Sequence, residues 1–365
     1  MKAYVLHGIN DIRYEEVEKP TAGDNEVIVA VKACGICGSD IPRIYQTGAH
    51  VHPLIPGHEF AGKVIELGSG VDRKWLDKPV GVFPLIPCGR CVPCQRKQYE
   101  MCRNYNYLGS RCDGGFAEYV AVPEANLIEL QKGVTYEQAA MLEPMAVAVH
   151  CMRRLSPKKE DKVFVYGLGT IGLLLVMFLK ESGIENLYVI GNKEFQKKNI
   201  IMIGIDENNY CDSKITDVAG WIMEKTDGIG ADCIFECIGK NETVSKCIEC
   251  AAPAGKVMLV GNPYSDMTFV KDIYWKILRN QLTVTGTWNS SFTHEETDDW
   301  HYVVDKLAAG KVKPEELISH RFELDEIECG MEIMRDKSED YVKVMGVNYD
   351  EDTKEHSCVI GRFVK

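Results

Sequence analysis

Residues 161–190 read DKVFVYGLGTIGLLLVMFLKESGIENLYVI, and no other stretch leaves the backbone so few choices. A β-rich run, Val163 to Tyr166, meets Gly167, Gly169 and Gly172 in the spacing G-x-G-x-x-G. An apolar segment closed by Gly183 follows, then a second β-rich run, Leu187 to Ile190. The apolar run at 167–179 is too short for a bilayer, which takes about 20 such residues, so it is read as a helix packed on a sheet. Of the three glycines, the first allows a tight turn, the second lets the backbone approach a pyrophosphate, and the third packs helix on strand. The helix N-terminus then faces phosphate. This predicts a dinucleotide site at Gly167, Gly169, Thr170, Ile171 and Gly172. Later runs at ADCIFECIG, GKVMLVG and LTVTGTW continue the strand–helix alternation of a doubly wound parallel sheet. Gly239, Val260 and Gly261, at the ends of the first two, join the cofactor candidates.

The same unit carries a cofactor preference. About twenty residues beyond the first glycine, an Asp or Glu usually accepts from the adenosine ribose and repels a 2′-phosphate. Here the second run ends in NLYVIGNKEF, with Gly191 at that position, Asn192 able to donate, and Lys193 adding a cation. NADP(H) is therefore expected in preference to NAD(H). The alternative is that Gly191 eases a turn, Lys193 points to water and Glu194 takes the ribose.

The chain has 365 residues, 45% of them hydrophobic, which exceeds what a single core fills and predicts two domains. A net charge of −12, without any basic block, argues against nucleic acid or an acidic membrane as partner. A small-molecule enzyme fits better. The N-terminus MKAYVLHGINDIRY has no apolar stretch with a cleavage site, so a cytoplasmic location is expected. Fifteen scattered cysteines, an odd number, speak against a disulfide framework. Cys151, Cys233 and Cys247 read as small buried hydrophobes.

Four cysteines need another account. Cys88, Cys91, Cys94 and Cys102 follow C-x2-C-x2-C-x7-C, a spacing from which a tight loop can bring four thiolates to a tetrahedron, as structural zinc requires. Gly89 eases the first turn and Pro93 stiffens the second. An iron–sulfur cluster is the rival, though the last gap departs from ferredoxin runs. Four thiolates leave no open position, so such a site shapes a lobe and does no chemistry.

A second set is mixed. Cys37 in ACGICGSDIPR, His58 and Glu59 in IPGHEFAGKV, and Glu143 in MLEPMAVAVH offer a thiolate, an imidazole and two carboxylates, the ligand types of an open catalytic zinc. Singly, each has a plain reading: a satisfied histidine, a surface acid, a carboxylate at a helix start. The residues alone leave the choice open.

GHEFAGKVIELGSGV together with the four-cysteine loop resembles the zinc-dependent medium-chain dehydrogenase/reductase family of alcohol and polyol dehydrogenases, from about residue 1 to about 346. CGSDIPRIYQTGAH, GSRCDGGFAEY and ILRNQLTVTGTW are similar to its dehydrogenases of sugar-alcohol phosphates. The resemblance implies an α/β chain: a Rossmann domain at 145–286, a mainly β, GroES-like catalytic domain at 1–144 and 287–346 with the active site in the cleft between them, and a C-terminal extension at 347–365. It implies two zinc ions, with Cys37, His58, Glu59 and Glu143 around the catalytic one. The alcohol dehydrogenases place a cysteine where Glu143 stands, which puts this chain with the polyol branch. Ser39 matches the hydroxyl that takes the substrate proton, and Asp40 the carboxylate that orients a ligand imidazole. The relay histidine of some relatives has no counterpart, since Pro42 and Arg43 occupy its neighbourhood. Arg43 and His50 are candidates for reading a phosphate or distal hydroxyls. The expected reaction moves a hydride between a nicotinamide and a secondary alcohol of a sugar alcohol or its phosphate, in a homodimer or homotetramer. The rivals are a threonine or simple alcohol dehydrogenase and a zinc-stabilised binding protein without turnover.

Overall fold

The computed structural model describes residues 1–348. Residues 349–365, whose sequence suggests a polar loop and an extra strand, lie outside the described residues. The chain forms two compact units: Met1–Glu143 together with the chain from Ser291 onward, and Pro144–Ser290.

The second unit is a six-stranded, all-parallel sheet. Its elements run β1 (Lys162–Tyr166), α1 (Thr170–Glu181), β2 (Asn186–Gly191), α2 (Glu194–Ile203), β3 (Tyr210–Asp212), α3 (Val218–Lys225), β4 (Ala231–Glu236), α4 (Asn241–Cys250), β5 (Ala251–Leu259), α5 (Lys271–Arg279) and β6 (Thr283–Gly286). The strand order is β3-β2-β1-β4-β5-β6, so the winding reverses between β1 and β4. That switch point is where open sheets of this kind bind ligands, beyond the strands' carboxyl ends. Strands covered on both faces lose the apolar–polar alternation, and Val163, Phe164, Val165, Cys233, Ile234 and Phe235 are accordingly all buried. Every residue of α1 from Gly172 to Leu179 is buried as well, which accounts for the apolar run. Phe164 stacks on Tyr188 with centroids 4.7 Å apart, and Trp221 of α3 meets Phe164 edge-on at 5.9 Å.

The first unit is mainly β. Its central strand, Glu26–Ile36, pairs antiparallel with Glu59–Leu67, Tyr119–Pro123 and Lys343–Val347 within a seven-stranded sheet. Val27, Val29, Val31, Phe60, Val64 and Phe116 build its core. The register sets Gly35 opposite Glu59 and Ile36 opposite Val344. Three strand ends therefore meet where the chain leaves the sheet at Cys37.

Among the described residues no helix is long and apolar enough to cross a membrane, and their cysteines are all free thiols, with Cys151, Cys233 and Cys247 buried.

Candidate functional site

The strand ends bring together residues far apart in sequence. The ligand atoms of Cys37, His58 and Glu59 lie within 4.8 Å of one another, the first from the turn after the central strand, the other two from the start of its neighbour. The turn is closed by Asp40, fully buried, whose Oδ2 accepts from the Cys37 N–H at 2.9 Å. Its Oδ1 accepts from Arg43 and lies 3.5 Å from His58 Nδ1. Burial works against the Asp40 charge, yet His58, Arg43 and the Cys37 N–H hold the carboxyl below its usual range. His58 Nδ1 is buried with no hydrogen bond and faces Asp40, an orientation in which Nε2 would be the nitrogen offered to a metal. Ser39 Oγ sits 3.3 Å from Cys37 Sγ.

Glu143, in the first turn of the helix Leu142–Leu155, stands outside that three-residue cluster. Its Oε1 accepts from the Tyr107 hydroxyl at 3.2 Å, and the Tyr107 ring packs edge-on to His58 at 5.7 Å. Burial pushes the Glu143 carboxyl up to about 7, with Glu59 adding to the effect and His58, Lys343 and Tyr107 opposing it. The buried Glu59 carboxylate, paired with the Lys343 ammonium, and the part-buried Glu143 carboxylate lie beside a thiol and an imidazole. A divalent cation fits that donor set.

Lys343 and Tyr107 belong to this site and carry no motif that sequence reading could use. Lys343, buried at the start of its strand, donates to Glu59 and, at 3.3 Å, to the Ile36 carbonyl. Glu59 reaches it by passing over Gly35, where an added Cβ would lie 2.3 Å from Glu59 Oε2. Lys343 lies 284 residues from Glu59, and only the strand register joins them.

Arg43, expected at the substrate, is partly buried and spends one N–H on Asp40. His50 is exposed.

The four-cysteine loop also closes on itself. Its Sγ atoms lie within 4.8 Å of one another, with separations of 3.9 Å for Cys88–Cys94, 3.4 Å for Cys91–Cys94 and 3.8 Å for Cys91–Cys102. A tetrahedron with zinc–sulfur bonds of about 2.3 Å has edges of about 3.8 Å, whereas a cluster with several irons between the sulfurs needs them farther apart. One zinc fits. Cys91 caps the short helix Val92–Gln95, and backbone N–H groups of Arg103 and Cys94 lower its thiol to about 6, which favours the ligating thiolate.

In the second unit, Gly167 follows β1 with φ at +106°, and Gly169 caps α1. A Cβ on Gly172 would meet the Gly167 carbonyl at 1.9 Å, the close packing that the third glycine provides. Gly191 ends β2 and is buried, while Asn192, Lys193 and Glu194 are exposed beyond it. A Cβ on Gly191 would lie 2.8 Å from Gln196 Oε1 and 3.0 Å from Leu168 and Tyr210. Gln196 holds this turn by accepting from the Asn192 N–H at 2.9 Å and donating to the Leu168 carbonyl at 3.1 Å. A side chain at Gly191 would therefore have to displace Gln196 from this turn.

Residues 23–132 match the alcohol dehydrogenase GroES-like domain family and residues 170–309 the zinc-binding dehydrogenase family. Galactitol 1-phosphate 5-dehydrogenase of Escherichia coli K12 is 32% identical over 81% of this chain and 85% of its own. Sorbitol dehydrogenase of Halalkalibacterium halodurans is 31% identical over 89% and 94%. Among solved structures, a zinc-binding dehydrogenase from Sinorhizobium meliloti 1021 bound to NADP superposes with a TM-score of 0.87, at 29% identity over 95% of this chain and 99% of the other. A structure described as a short chain alcohol dehydrogenase from Escherichia coli CFT073, complexed with NADH, gives 0.87 at 28% identity over 95% and 99%. The chain belongs to the zinc-dependent medium-chain alcohol and polyol dehydrogenase family and is an oxidoreductase.

Proposed function

We propose that this chain oxidises a secondary alcohol of a sugar alcohol or sugar-alcohol phosphate, reversibly, with NADP(H) as the preferred cofactor. The observation that carries the reading is the acidic donor set: Cys37, His58 and Glu59 meet at one point with Glu143 behind Tyr107, a carboxylate standing where the alcohol dehydrogenases place a cysteine. When bound, zinc supplies Lewis-acid stabilisation of the developing alkoxide and the dinucleotide supplies the hydride acceptor. Cys37 and His58 would hold the metal, Glu59 and Glu143 would ligate it or balance its charge, and Asp40 orients the imidazole. Ser39 Oγ relays the alcohol's proton, accepting it while its own hydroxyl proton passes to solvent water. The similarity to a galactitol 1-phosphate dehydrogenase and to a sorbitol dehydrogenase supports the polyol class, and Arg43, with N–H groups beyond the one given to Asp40, suits a phosphate. The test is steady-state turnover on galactitol 1-phosphate, galactitol, sorbitol, threonine and simple alcohols with each cofactor. Efficiency highest on threonine or a simple alcohol would overturn the reading.

The NADP(H) preference rests on Asn192 and Lys193, exposed where an acidic residue would repel the 2′-phosphate. Because a side chain at Gly191 would push against Gln196, which holds the turn, the informative variant is Asn192→Asp. It should shift the ratio of kcat/KM for NADP to that for NAD toward NAD by roughly ten- to a hundredfold. An unchanged ratio would remove this turn from cofactor selection.

A homodimer is supported by the second unit's edge. Strand β6 ends the sheet, and beside it Val270, Tyr274 and Leu278, spaced by four on one helical face, are exposed along with Trp275. Trp275→Glu should convert a dimer to a monomer in size-exclusion light scattering, since a charge is strongly disfavoured inside an apolar contact. A wild type that is already monomeric would rule the dimer out.

A further inference from the structure

We infer that Glu236 is a positioning residue for the dinucleotide: its carboxylate fixes the turn after β4, and its carbonyl fixes the turn after β5 against it. The inference rests on the second unit's being the cofactor unit.

Glu236 is the last residue of β4 and is fully buried. A buried carboxylate is costly unless it is neutralised or saturated with donors, and here donors converge on it. Oε1 accepts from the Ile238 N–H at 3.0 Å, the Gly239 N–H at 2.9 Å and the Thr243 hydroxyl at 2.6 Å, while Oε2 accepts from the Gly239 N–H at 3.0 Å. Thr243 stands in the first turn of α4, so the carboxylate ties strand end, turn and helix start together. The Glu236 carbonyl accepts from the Val260 and Gly261 N–H groups at 2.8 and 3.0 Å, which holds the next turn.

The two turns touch backbone to backbone. A Cβ on Gly239 would lie 1.9 Å from the Asn262 carbonyl oxygen, and one on Gly261 would lie 2.2 Å from the Gly239 nitrogen. On the other side, Cys237 donates to the Tyr166 carbonyl at 2.8 Å, and a Cβ on Gly167 would meet Ile238 at 2.5 Å. The glycine-rich turn after β1, the turn at 237–239 and the turn at 260–262 thus form one rim along the strands' carboxyl ends, across the switch point. Glu236 joins its last two members. An acceptor-only carboxylate suits this role, because a glutamine would turn an NH2 toward N–H and O–H donors.

The test uses the full-length, zinc-loaded protein. Glu236→Gln should raise the dissociation constants and KM for NADPH and NADH by about tenfold or more, with kcat at saturating dinucleotide and KM for the polyol unchanged. A merely structural role would lower the melting temperature without moving dinucleotide KM. Thr243→Val removes one donor and keeps the carboxylate. It should weaken dinucleotide binding by about threefold and decides the matter if Glu236→Gln does not fold. Dinucleotide affinities within twofold of wild type in the variants that fold would overturn the role of Glu236 alone. A wild type that binds neither dinucleotide would overturn the reading of the whole unit.

Discussion

Lys343→Met is expected to destabilise the metal-free protein by about 3–5 kcal/mol, the usual result of removing one partner from a buried ion pair. Lys343 and Glu59 have side chains only 2% exposed. With the ammonium gone, the Glu59 carboxylate would face Glu143 and Cys37 across a dry site. Bound zinc supplies positive charge at the same place, so the loss should be smaller in the zinc-loaded protein than after chelation. Activity should fall too, because an unpaired Glu59 is free to move toward the metal and change its charge balance. Thermal unfolding with and without chelator reads the first effect. Adding Glu59→Gln to Lys343→Met removes the stranded charge and should restore most of the stability while activity stays low. If the double variant is less stable than the single, or Lys343→Met melts as wild type does, the pair is not what holds Glu59.

The second large effect separates the two metal positions. Wild-type protein should carry about two zinc ions per chain, and Cys37→Ser and Cys91→Ser about one each. Cys37→Ser should abolish turnover and leave a folded protein, because the turn at 37–40 is also held by Asp40. Cys91→Ser should lower the melting temperature by several degrees and promote aggregation, since residues 88–102 hold only a four-residue α-helix and a three-residue 3-10 turn and otherwise depend on their four sulfurs to stay closed. Metal analysis with circular-dichroism melts checks both. A Cys37 variant that unfolds together with a Cys91 variant that only loses turnover would mean the sites are reversed.

Much of this protein was legible from residues 161–190. Alternating strands and helices around closely spaced glycines are local signals, each set by a few neighbouring residues, and five of the six strands fall on those runs, while the three-residue edge strand Tyr210–Asp212 was not predicted. The four-cysteine loop was legible for the same reason: its ligands lie within fifteen residues of one another, so spacing alone limits their geometry. Gly191 was half legible. Its missing carboxylate was visible in sequence, but the crowding by Gln196, Leu168 and Tyr210 around it was not.

The cluster around Cys37, His58 and Glu59 in the first unit divides in the same way. Sequence by itself determined the ligand types, because thiolate, imidazole and carboxylate chemistry belongs to the residues wherever they sit. Only the tertiary structure decided that Lys343 is Glu59's partner, that Tyr107 holds Glu143, that Arg43 serves Asp40, and that Glu236, through its carboxylate and its carbonyl, ties the turns after β4 and β5 together. These are long-range pairings between charged or polar groups, and a lysine at the start of a strand looks in sequence like any solvated lysine. What makes it a structural ion is burial, and burial is produced by strand register and by the glycine that lets a side chain pass, which no local pattern encodes.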